Sequence, residues 1–237
     1  WQGFCNYIVN HNNPPAWRKQ FRGSKQKQTI MKGLGLLAVA TIGIVLSANA
    51  ATDQDQLGET DKDFVKIKHS AFRPGEKLTY RLSYGAFDAG EAVLTVEESD
   101  KTVQGRKLWK VRGVGKTISA FEWFYKVNDR YESYMDAEAM FPWLFVRRVD
   151  EGGYIINQDY TFHQHKNIVD NGEGKKFNIP DLTQDMISAF YYARTLDFSN
   201  AKKGDIFTVN IFLDDELYPT KIKYLGKEEI KIRKGKF

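Results

Sequence analysis

The chain has 237 residues and a formal net charge of +5 at pH 7, but the basic excess sits entirely before residue 51. Arg18, Lys19, Arg22, Lys25, Lys27 and Lys32 meet no acid there, and residues 51–237 carry 29 basic against 30 acidic side chains. That balance excludes a global electrostatic case for nucleic acid, and because the single cysteine is Cys5, residues 51–237 have no disulfide framework, Cys-ligated zinc or thiol nucleophile.

Residues 1–30 lack a start Met and show no sustained period, so they read as translated upstream sequence, disordered. Met31 then opens a segment in which Lys32 precedes an apolar run from Leu34 to Leu46, followed by Ala48-Asn49-Ala50. Small residues at those two alanine positions after so short a run predict a secretory signal peptide over 31–50, since a spanning helix needs about 20 apolar residues. An uncleaved anchor is the alternative. No Cys follows the run, which removes lipoprotein processing, and no transmembrane span is expected in the mature chain. Residues 51–70 are polar and predict a flexible lead-in.

From residue 71 the pattern is that of one antiparallel β domain. Leu78, Tyr80, Leu82 and Tyr84 alternate with Lys77, Thr79, Arg81 and Ser83, a strand signature. A turn at Phe87-Asp88-Ala89-Gly90 leads to a strand with Ala92, Leu94 and Val96 on one face. A loop over 99–105 then returns the chain through Trp109 and Val111. Phe121, Trp123, Tyr125 and Val127 are expected on one face of the next strand, with Phe124 on the other. After the turn Glu151-Gly152-Gly153, Tyr154, Ile156, Tyr160 and Phe162 oppose Asn157, Asp159, Thr161 and His163.

The Gly-Lys-rich stretch 171–176 ends this pattern. Residues 183–195 then predict an amphipathic helix of about three turns, with Asp181 or Thr183 as cap and Asp185 near its positive end. Phe207, Val209, Ile211 and Leu213 return to strand alternation, Asp214-Asp215-Glu216 is a turn, and Ile222 and Tyr224 follow. The last strand-like run leaves an edge that needs a cover, so the domain is expected to be truncated at its C-terminus. The fold class is mainly β with one packed helix: an antiparallel meander forming a curved sheet, a half-barrel or a sandwich.

Several blocks carry a family resemblance. Tyr84, Ala89-Gly90-Glu91-Ala92, Asp129-Arg130-Tyr131-Glu132-Ser133, Pro142, Glu151-Gly152 and Gln184-Asp185 with Ser188 resemble, in order, the blocks of the bacterial envelope family known as domain of unknown function 3108. The resemblance spans about residues 72–230. It implies an exported, mostly antiparallel β protein of a Gram-negative bacterium, in a family with no established activity and no catalytic residues to carry over. By analogy of architecture it also implies a half-barrel closed by a helix.

The chemistry-bearing residues have bland readings beside functional ones. Gly113-Val114-Gly115-Lys116-Thr117 has the look of a phosphate loop, but Lys110 stands where its first glycine belongs and no helix follows, so a turn between strands is expected. His163 and His165, with Asp159 in the same row, offer a weak metal site that lacks further ligands; no cofactor is expected. Asp129, Glu132, Asp136 and Glu138 form an acidic cluster near a turn, expected to face solvent or pair with Arg130, Arg147 and Arg148 rather than to work as acid and base. Gly-x-Ser-x-Gly and His-Glu-x-x-His signatures are absent, and the protein is not expected to be an enzyme.

The aromatic excess fills a core or lines a groove between sheet and helix. The groove candidates are Trp123, Phe124, Tyr125, Tyr131, Trp143, Phe190 and Tyr191. The leading expectation is a periplasmic binding or chaperone-like module, free or associated with the outer membrane, for an apolar ligand such as lipid or lipoprotein. A protein scaffold of the envelope would instead show a solid core and an apolar outer patch. A small outer-membrane barrel is disfavoured by the helix and by Lys77, Arg81, Lys221 and Lys223 on outward faces.

Overall fold

Alternating residues of one continuous meander build the central sheet. In this computed structural model, which describes residues 63–84, 87–123, 125–229, 231–232 and 235–236, the strands are β1 (Lys77–Tyr84), β2 (Phe87–Val103), β3 (Arg106–Thr117), β4 (Asn128–Asp136), β5 (Pro142–Glu151), β6 (Tyr154–His163), β7 (Ile168–Asp170) and β8 (Lys176–Asn178). They form one eight-stranded antiparallel sheet in sequence order. The sheet is open, with β1 and β8 at its edges. The signal peptide and most of the lead-in expected from the sequence lie outside the described residues.

One face of the sheet is dry. Leu94 and Val96 of β2, Val111 of β3, Tyr131 and Met135 of β4, Phe145 and Val149 of β5, and Tyr160 and Phe162 of β6 are all buried in one cluster. Each large ring buried in this way contributes roughly 2 kcal/mol. Helix α1 (Met186–Ala193) and the hairpin of β9 (Ile206–Leu213) with β10 (Glu216–Lys223) supply Ile187, Tyr191 and Phe212 to the same cluster. Two short strands, β11 (Lys231–Ile232) and β12 (Gly235–Lys236), pair with each other. A second cluster of Leu108, Tyr134, Ala139, Phe141 and Trp143 is capped by Phe64. Residues 63–70 are therefore docked: Phe64 meets Phe141 edge-on at 4.8 Å, and Ile67 N–H donates to Glu138 O at 2.8 Å.

The helix is shorter than its sequence pattern and starts later. Asp185 itself is the N-cap: its Oδ1 accepts from Ile187 N and Ser188 N at 2.7 Å each, and Ser188 Oγ accepts from Asp185 N at 2.8 Å. That reciprocal capping box fixes the start. Asp181 and Thr183 cannot cap because a turn at Asp181-Leu182, with Leu182 at φ 57°, precedes Gln184, which is bridged in parallel to Ile211 of β9 before the helix starts. Gln184 N–H donates to Asn210 O, and Phe212 N–H to Gln184 O, both at 2.8 Å.

The glycines of 113–117 lie inside β3, so the stretch is neither a phosphate loop nor a turn. A Cβ on Gly113 would stand 3.1 Å from Leu94 Cδ2 and 3.2 Å from Ile187 Cδ1, so the missing side chain lets α1 approach the sheet. The β9–β10 tip is held differently. Asp214 and Asp215 both have positive φ, 51° and 61°, a hairpin geometry usually given to Asn or Gly. Their carboxylates clasp the sheet: Asp214 Oδ1 accepts from Arg147 Nη1 at 2.7 Å, and Asp215 accepts from Tyr160 OH at 3.2 Å and Asn171 Nδ2 at 2.9 Å.

Gly113→Val is expected to lower stability by about 2 kcal/mol through overpacking, read as a lower urea midpoint. Ile187→Ala in the same chain should recover part of that loss, so the two changes should be clearly non-additive.

Candidate functional site

The groove candidates do not converge. Residues 118–123 turn back on themselves rather than forming the expected strand: Phe121 N–H donates to Ile118 O at 2.8 Å, and Tyr125 N–H donates to Phe121 O at 3.1 Å. Thr117 Oγ1 locks the loop's base, donating to Tyr125 O at 3.0 Å and accepting from Val127 N at 2.9 Å. Phe121, Trp123, Tyr125 and Val127 thus share no strand face. Trp123 is 84% exposed and Tyr125 47%; Phe124 lies outside the described residues. Tyr131 and Tyr191 are buried in the main core, Trp143 in the second cluster, and Phe190 is half-buried with Arg194 stacked 5.7 Å from its ring.

Between α1 and the sheet the described residues interdigitate. Ile187 meets Gly113 of β3, while Phe72 meets Tyr191 edge-on at 4.8 Å. Where these residues meet, side chains from both layers fill the space between them. One cleft, of about 600 Å³, lies along the loop from His69 to Glu76 and has polar edges. Burial lowers the His69 pKa, with the Arg194 charge acting in the same direction.

Four exposed apolar groups lie near one another at one end of the sheet, Trp123, Tyr125, Tyr154 and Ile155, while others such as Val65, Ile206 and Leu225 are exposed elsewhere. Tyr154 and Ile155, just after the Gly152-Gly153 turn, are 60% and 63% exposed. The β3–β4 loop leans on that turn. Gly152 N–H donates to Lys126 O at 2.8 Å, and a Cβ on Gly152 would stand only 2.8 Å from Tyr125 Cε2. The loop that carries Trp123 and Tyr125 therefore touches the turn from which Tyr154 and Ile155 open β6. The sequence places Tyr154 in a strand, as the structure does, but also places Phe121, Trp123 and Tyr125 in one, because an accidental period of two runs through 121–127.

The acidic four divide: Asp129, Glu132 and Asp136 are buried rather than solvent-facing, and Glu132 pairs with Arg130 at 3.4 Å, one of the pairings expected. These three fall on β4, and their cross-strand partners come from β3 and β5. Asp136 is fully buried, and burial opposes its charge. The Arg106 guanidinium, the N–H groups of Glu138 and Ala139, and Trp143 Nε1 outweigh that cost and hold its carboxyl below the usual range. Glu138, by contrast, is exposed and pairs with Lys66 at 3.1 Å.

Asp129 lies on the core side, 1% exposed. Burial first, and then the charge of Glu151, push its pKa up to about 6. Its carboxylate accepts from Asp150 N–H at 3.2 Å and Tyr131 OH at 3.4 Å. Asp185, also buried, is raised to about 6 by desolvation against the bonds from Ser133, Ser188 and Ile187. Perturbed carboxyls can serve as general acids, but neither of these lines the His69–Glu76 cleft or a second cleft over β3, β4 and β5, so a substrate has no route to them through either.

The histidine pair does not complete a metal site. β6 ends at His163, His165 falls in the following turn, and their rings lie 6.1 Å apart. Asp159, the third member of the row, is taken by Arg148 through bonds of 2.5 and 3.0 Å. Among the described residues no group of three or more His, Cys, Asp or Glu is placed to hold an ion. No helix there is long and apolar enough to cross a membrane.

A family model described as "Protein of unknown function (DUF3108)" matches residues 79–237. No curated protein and no solved structure matches the chain.

A carboxyl whose folded pKa stands above its unfolded value stabilises the fold while protonated, and that contribution is lost as pH rises from about 4 through 6. Asp129→Asn should therefore leave the thermal midpoint nearly unchanged at pH 4.5. At pH 8 it should raise the midpoint by about 3 °C, the equivalent of roughly 1 kcal/mol. Comparing variant with parent by calorimetry at both pH values cancels the opposite dependence of Asp136.

Proposed function

The chain belongs to the DUF3108 family, and on that premise we propose that it is a non-enzymatic interaction module of the cell envelope that meets another envelope component through the aromatic end of its sheet. The observation that carries this reading is the exposure of Trp123 and Tyr125 on a loop braced against the Gly152-Gly153 turn, with Tyr154 and Ile155 exposed at the start of β6 directly after that turn. Large apolar groups exposed together cost solubility and mark contact surfaces. Bracing keeps them presented, so little ordering entropy is lost on contact.

The filled layer between α1 and the sheet favours this surface reading over an apolar ligand enclosed beneath the helix. A non-enzymatic role is supported by the withdrawal of the two raised carboxyls from both clefts and by the engagement of Asp159 with Arg148. Placement in the periplasm rests on the signal-peptide pattern of residues 31–50.

Trp123→Ser combined with Ile155→Ser should leave the thermal midpoint within about 1 °C, because exposed side chains away from special features contribute little. The same variant should lose most of its co-sedimentation with envelope fractions after gentle lysis. Sedimentation equal to that of the parent protein would refute the role assigned to this surface.

A further inference from the structure

The sheet face turned away from α1 carries a charge arrangement that packing does not require. Arg112 and Lys116 of β3, Arg130 of β4 and Arg148 of β5 line a cleft of about 420 Å³, with Asp150 as its one lining acid. Asn128, Asn157 and Ile155 complete its polar and apolar walls. Arg130 and Arg148 are direct cross-strand partners, and like charges placed opposite each other destabilise a sheet. The arrangement is tolerated because acids sit among the cations, Glu132 beneath them and Asp159 beside Arg148. Glu132, side chain 8% exposed, lies 3.3 Å from Lys110, 3.4 Å from Arg130 and 3.8 Å from Arg112, and Asp159 holds Arg148. One buried carboxylate shared by three cations leaves donors directed outward. From β2, Glu91 faces Lys116 and Glu97 faces Lys110 in the ladder, at the border of the cleft.

Register places this cleft beside the aromatic loop and the turn it touches. Lys116 pairs with Asn128 at the foot of the loop that carries Trp123, and Ile155 pairs with Asp150 beside the Gly152-Gly153 turn. Cations that receive phosphates and rings that settle among headgroups are the two elements of an interfacial membrane contact. We infer that this surface docks on a bilayer containing anionic lipid, lipid phosphates seating between Arg112, Lys116 and Arg130 while Ile155 and Trp123 enter the headgroup layer. The inference rests on the function proposed above and names the component that the sheet end meets.

The test is flotation of the purified exported protein with vesicles of phosphatidylcholine alone or mixed with phosphatidylglycerol. Arg112→Gln with Lys116→Gln leaves Lys110 and Arg130 to hold Glu132, so the fold survives, as an unchanged thermal midpoint would verify. Lys221→Gln with Lys223→Gln removes the same charge from β10, away from the cleft. The expected result is binding to the mixed vesicles that falls about 25-fold in the cleft variant, from about fivefold per cation, and by less than twofold in the β10 variant. Equal losses in both variants would show an effect of net charge and overturn the inference. Full displacement by millimolar inorganic phosphate would assign the cleft to a free anion and overturn it as well. Absence of vesicle binding, with the Trp123/Ile155 dependence of envelope sedimentation intact, would make the partner a protein; it would overturn this inference and leave the proposed function standing.

Discussion

The bond between Ser133 Oγ and Asp185 Oδ2, 2.5 Å long and buried, is the contact on which the architecture turns. An ionisable side chain with no solvent exposure is tolerated only where its lone pairs are satisfied. Asp185 meets that condition by capping α1 with one oxygen and holding the middle of β4 with the other. Its two predecessors anchor the same point. Gln184 joins the β9 ladder through its backbone, and Thr183 O accepts from the buried Gln164 Nε2 at 3.0 Å. Three consecutive residues thus tie sheet, helix and hairpin at one junction, and the apolar contacts around Tyr191 and Phe212 follow from it.

β4 distributes its residues to opposite tasks because a strand has two faces. Asp129, Tyr131 and Ser133 turn inward, to a carboxyl whose pKa burial raises, a core ring and the helix cap. Arg130 and Glu132 turn outward, to the cationic cleft and its buried counterion. A one-residue slip would exchange the two sets. The neighbouring pairs, with Gly113 opposite Tyr131 and Phe145 opposite Ser133, give that register strong specification.

Much of this was legible in the sequence where burial alternates cleanly. Leu94 and Val96, Tyr160 and Phe162, and the Gly152-Gly153 turn fall where a period of two puts them. The same rule failed at 121–125, because periodicity records spacing and cannot tell a half-buried strand from a loop closed by the Thr117 hydroxyl. It was also silent on the acids. Asp129, Glu132 and Asp136 read as a surface cluster because nothing local announces that Glu151, Lys110 and Arg106 will arrive from other strands. The helix start was off by a few residues for a similar reason: Gln184 was already committed to β9. The cleft was missed because its four cations come from three strands and meet only across the ladders.

The order of strands in space repeats their order along the chain, and that has a consequence for how the molecule comes into being. A polypeptide delivered from its leading end can add each ribbon to the one before it, with loop closures that stay short. The lid arrives last. Until residues 184–212 reach their places, the oily side of the growing sheet has nothing against it, and such half-covered intermediates are the ones that clump. That interval is when a chaperone holding the bare side would matter most.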